Sequence, residues 1–99
     1  MSAIAKGTKR TAAQPCVILT NATPNADTQC AAHSCRRALV KAHTANAGLV
    51  WVNFGAAATD GGCVDLLPDG SISVPATNTN QIHALFKTGG DKLTVVYEF

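Results

Sequence analysis

Charge is scarce in this chain, with eight basic and six acidic side chains in 99 residues. So little charge beside 46% hydrophobic residues excludes the composition of a disordered chain, which is more charged and less apolar. Aromatic residues are few as well: one Trp, one Tyr and three Phe. That removes the interleaved stacking platforms on which single-stranded nucleic acid is held, and direct nucleic-acid binding is not expected. No apolar run approaches the roughly 20 residues of a spanning helix, so no membrane partner is expected. The first residues, Met1 to Arg10, have no apolar export core. With no export signal, the glycosylation pattern Asn21-Ala22-Thr23 is set aside. The four cysteines, Cys16, Cys30, Cys35 and Cys63, are expected to be reduced and mostly buried. No nucleophile elbow, phosphate-binding loop or His-rich metal motif is present, so neither an enzyme nor a cofactor is expected.

What the chain does have is a series of short apolar segments, each closed by turn residues. The stretch from Gly61 to Glu98 carries the pattern most plainly. Ile72 and Val74 share one face of an alternating run, as do Ile82, Ala84 and Phe86, and then Leu93, Val95 and Tyr97. Pro68-Asp69-Gly70 reads as a turn in which Gly70 takes the positive φ, and Gly89-Gly90 reads as a hairpin. Three strands with one apolar face each need a second layer. The earlier half is expected to supply it as another sheet.

In that earlier half, Cys16 to Thr20 is a run of strand length headed by Pro15, which suits a first or edge strand. Residues 20–33 read as loop, the one place for a helical turn. In Arg36–His43, alternation puts Ala38, Val40 and Ala42 inward, leaving Leu39 outward among charged residues. Leu49 to Gly55 is apolar on both faces, with Val50, Val52 and Phe54 on one side and Trp51 on the other. Leu39 and Trp51 are therefore interface candidates. The fold expected is all-β: a single-domain antiparallel β-sandwich of about seven short strands over residues 15–99. It is preceded by an extended basic N-terminal arm over residues 1–14.

Charge is also uneven along the chain. Up to Lys41 there are six cations against one anion; afterwards there are two against five. Lys6, Lys9 and Arg10 in the arm join the interface candidates, since such asymmetry steers association with an acidic surface. The segment Cys30-Ala31-Ala32-His33-Ser34-Cys35 is the one cluster with ligand types suited to zinc. It lacks a second paired knuckle, and no metal is assigned to it. For catalysis the candidates would be Cys35 with His33, or His43 and His83 with Asp65; none falls in a catalytic motif.

The two runs Arg37–His43 and Leu49–Gly55, joined through Ala45-Asn46-Ala47-Gly48, resemble a layout found in small virion proteins of tailed bacteriophages. So does the continuation through Leu67–Pro75, Thr79–Leu85 and Gly89–Tyr97. The resemblance covers about residues 34–98 and rests on turn and core residues. It implies a head decoration or cement protein, located in the virion after assembly in the host cytoplasm. Its partners would be the major capsid protein or another virion protein, and copies of itself as a dimer or trimer. The alternative is a receptor- or carbohydrate-binding sandwich of a phage tail or fibre.

Overall fold

The computed structural model describes residues 16–59, 61 and 64–98. The strands are β1 (Cys16–Thr20), β2 (Asp27–Gln29), β3 (Arg37–Ala42), β4 (Val50–Phe54), β5 (Val64–Leu66), β6 (Ser71–Val74), β7 (Ile82–Phe86) and β8 (Lys92–Glu98). A 3₁₀ turn covers Thr79–Gln81. The strands form two four-stranded sheets, β1-β8-β3-β6 and β2-β7-β4-β5, and every pairing is antiparallel. The expected β-sandwich is thus present, and its strand order is that of an eight-stranded jelly roll.

Between the sheets lies a core of small and branched side chains around Phe86. Val40, Val50, Val52, Ile82, Leu93 and Val95 are fully buried within it. β3 shows how the sequence places them. Its strict alternation buries Ala38, Val40 and Ala42 and exposes Arg37, Leu39 and Lys41. The core predicted from alternation holds, with Phe54 and Ile72 packed against its margin rather than enclosed.

The partnerships differ from those expected. Neither half of the chain builds a sheet alone. Of the connections between successive strands, only β4–β5 stays within one sheet; every other link crosses to the opposite layer. Gly89-Gly90 is therefore not a hairpin but a corner from β7 to β8 in the other sheet, and Ala45–Gly48 likewise carries β3 to β4 across the sandwich. Residues 20–33 hold no helical turn; they hold β2, paired to β7. The run read as Arg36–His43 is strand from Arg37 to Ala42, and Ser34 ahead of it makes only an isolated bridge to Asn78. At the β5–β6 corner the positive φ belongs to Asp69 (72°), not Gly70. Gly70 is needed there for space, since a Cβ would lie 2.9 Å from the Leu67 carbonyl oxygen.

The arm, with Lys6, Lys9 and Arg10, lies outside the described residues, as does Cys63.

Candidate interaction surface

The outer face of the first sheet is built by the residues that alternation turns away from the core. Register places Cys16, Val96, Leu39 and Ser73 in one outward row, and Ile18, Thr94, Lys41 and Ser71 in the next. Ile18 is 48% exposed and Leu39 39%, large fractions for such side chains. Cys16 is exposed beside them and Val96 is half-buried. The result is an apolar strip running across β1, β8 and β3. A shallow groove lined by Arg37, Leu39, Ser73, Val96 and Glu98 continues it toward one end of the sheet.

Ion pairs frame the strip. Arg37 Nε meets Glu98 Oε1 at 3.0 Å, and Lys41 Nζ meets Asp69 Oδ1 at 3.0 Å. The Lys41 hydrogen bond, then the Thr44 hydroxyl, hold the Asp69 carboxyl below its ordinary value. These pairs are exposed, so they contribute little to stability; their effect is to set polar margins on the strip.

The outer face of the second sheet is different. Register puts Asp27, Leu85, Trp51 and Asp65 in one row, with Gln29, His83 and Asn53 beside it. The segment after β4 is tied across this face. Ala58 N–H donates to Asp27 Oδ1 at 2.8 Å, and Asn53 Nδ2 donates to the Ala57 carbonyl at 3.1 Å. That cover accounts for Leu85 and Ala58 being buried on an outward side. Trp51 is half-buried here, and its indole nitrogen is buried without a hydrogen-bond partner. It is not an open apolar projection of the kind Leu39 and Ile18 make.

The three histidines, Cys30 and Cys35 each make contacts within the fold. His83 Nδ1 lies 3.0 Å from Asp27 Oδ2, not near a role with Asp65, and the same carboxylate already accepts the Ala58 N–H. That shared carboxylate fastens β2, β7 and the covering segment together. His43 Nε2 is 3.1 Å from Thr94 Oγ1. His33 stacks on Tyr97 with ring centroids 5.0 Å apart. Cys35 Sγ donates to the Ala76 carbonyl at 3.2 Å, while Cys30 is buried, and burial pushes its thiol pKa up. Among the described residues, no three His, Cys, Asp or Glu side chains converge as a metal site.

Comparison with protein-family models, curated proteins and solved structures finds no match to this chain. Of the sequence candidates, Leu39 lies on the strip and Trp51 on the opposite face. Ile18 and Val96 were not candidates, yet they form the strip with Leu39. For Ile18 the signal was available: a first strand headed by proline is an edge, and an edge strand apolar on both sides must leave one side open.

Proposed function

We propose that this chain is a virion structural protein, a decoration or cement subunit that docks on the assembled head of a tailed phage. The observation that carries this is the apolar strip of Ile18, Val96 and Leu39 on a sheet face framed by ion pairs. An apolar centre with a polar margin is the anatomy of a protein-binding surface. The jelly-roll strand order is shared by viral capsid and lectin domains alike, so it is compatible with this reading without choosing it over the sugar-binding one. Binding only the assembled shell stabilises that shell by mass action. The partner is the major capsid protein or another virion protein, and the site of action is the particle, assembled in the host cytoplasm. No catalysis, cofactor, membrane or direct nucleic-acid contact enters this role. The carbohydrate-binding alternative has less support: Trp51 and Phe54 are half-buried, and Phe86 and Tyr97 are buried, so no described aromatic stands open on a loop for a sugar to stack upon.

The test is co-sedimentation of purified protein with intact particles and with unassembled capsid subunits. Retention on particles alone is expected, and Leu39→Asp should lower occupancy at least about tenfold, the effect of roughly 1.4 kcal/mol. Absence from particles under all conditions, together with retention of glycans on an array, would replace this role with the sugar-binding one.

A further inference from the structure

A sandwich of two open sheets has four edge strands, and among the described residues these are β1, β6, β2 and β5. Exposed edges are templates for pairing with another chain, and proteins blunt them with short length, charge or proline. Three of the four are blunted in this way. β2 and β5 are three residues each and carry Asp27 and Asp65. β6 is four residues, closed by Gly70 on one side and Pro75 on the other. β1 is the longest of the four and the least guarded: Cys16-Val-Ile-Leu-Thr20 is five residues with no charge inside it, and Pro15 ahead of it guards only its first end.

The orientation of its backbone follows from the neighbouring strands. The His43 N–H donates to the Lys92 carbonyl, so even-numbered residues of β8 direct their main-chain groups to β3. The odd ones, Leu93 and Val95, direct theirs to Leu19 and Val17 of β1. Within β1 the N–H and C=O groups of Cys16, Ile18 and Thr20 are therefore left pointing off the edge of the sheet.

From this edge we infer that two copies of the chain pair β1 against β1, antiparallel about a two-fold axis at Ile18. The fit is self-complementary, as a two-fold contact requires. Ile18 meets Ile18 of the partner subunit through two main-chain hydrogen bonds. Cys16 of each copy lies opposite the other's Thr20. Because the register centres on a residue, odd positions face odd ones. Val17 and Leu19 remain on the core side, and Cys16, Ile18 and Thr20 remain on the outer face. No charge opposes another across the seam. An acidic or basic strand would leave its charges beside this neutral edge, whereas a second β1 does not. The product is a continuous eight-stranded sheet in which the two Ile18 side chains lie side by side on the outer face, joining the two apolar strips into one. This pairing does not depend on the particle role.

Sedimentation equilibrium of the full chain reads the result directly: a dimer is expected. Ile18→Lys should give a monomer with an unchanged far-UV spectrum, because the side chain is outside the core and a lysine guards the edge. Geometry is checked in a Cys16→Ser background. Ile18→Cys should be linked between chains by a short bifunctional thiol reagent, because facing Cα atoms in such a pair are about 5.5 Å apart. Leu39→Cys should not be linked. It lies two strands further in, which puts the two copies five strand spacings apart, about 24 Å. A monomer at all concentrations, a trimer, linkage through Leu39→Cys instead of Ile18→Cys, or loss of the dimer on removing residues 1–14 but not on Ile18→Lys would each overturn the pairing.

Discussion

Asp91 shows how single polar groups fix this fold. It is 8% exposed, and its two carboxylate oxygens accept the N–H groups of Ala47 and Gly48 at 3.0 and 2.9 Å. Beside it, Asn46 exchanges two hydrogen bonds of 2.8 Å with the main chain of Lys92. The corner from β3 to β4 is thereby fastened to the start of β8. Asp91→Ala would leave two amide donors without their acceptor, at a cost of about 2–3 kcal/mol. It should lower the urea midpoint at constant slope. Asp91→Asn keeps one acceptor oxygen and should lose less. Cys30 gives a pH dependence. Burial raises its pKa most; the Thr79 and Ala31 hydrogen bonds partly oppose this, and Cys35 adds to it. Because the folded value is the higher one, the fold favours the neutral thiol. That contribution is fully present below the ordinary thiol range and is lost as pH climbs through that range toward the folded value. Urea midpoints should therefore fall more steeply on the alkaline side for the wild type than for Cys30→Ala. In the native protein, Cys16 should be alkylated readily and Cys30 only after unfolding. Equal rates would show that the core opens at Cys30.

At the scale of elements, corners decide the topology. A Cβ on Gly89 would lie 2.3 Å from the Ala22 carbonyl oxygen, so the β7–β8 corner packs directly on the β1–β2 corner. That oxygen and its carbonyl carbon, at 3.2 Å, are backbone and cannot swing aside. Gly89→Ala should cost about 1–3 kcal/mol as an overpacking change. Gly90→Ala meets no neighbour but must hold φ at 86°, a strain of about 1–2 kcal/mol. A Gly89→Ala protein that melts like the wild type would mean that the corners can part freely. The two glycines were legible as turn residues, but their partner across the fold was not. Alternation tells which side chains share a face; it does not tell which strand lies alongside. That is why the strands were readable one by one while the crossings between sheets were not. β2 escaped notice for another reason: Asp27-Thr28-Gln29 has no apolar period and is held by β7 and by the Asp27 carboxylate. The polar loop before β7 concealed an Asn78–Gln81 capping box, an N-x-x-Q signal that was present in the sequence. Leu39 was readable as outward because charged residues flank it. Leu85 alternates outward too, yet it is buried by a segment whose path depends on tertiary contacts.

Over the whole molecule, the question is which part of the chain holds it to a particle. The described domain offers apolar surface on the first sheet, and the sequence offers Lys6, Lys9 and Arg10 ahead of it. The two respond differently to salt. Exposed charge contacts are screened over about 8 Å at physiological ionic strength, whereas burial of Ile18 and Leu39 does not weaken as salt rises. Removing residues 1–14 takes away three cations and leaves intact the core of the described residues, whose first members along the chain are Val17 at its margin and Leu19. The shortened protein should therefore keep its far-UV spectrum. If the arm steers docking and the strip anchors it, the deletion should lower occupancy at low salt and approach full-length behaviour at high salt. Leu39→Asp should bind poorly at both. Trp51→Ala, on the covered face of the other sheet, should lose stability before it loses occupancy. Particle occupancy of the four proteins at two salt concentrations, read beside their melting temperatures, separates these contributions. A deletion that binds like the full chain at low salt would remove the arm from the docking mechanism. A Leu39→Asp protein with undiminished occupancy would remove the strip.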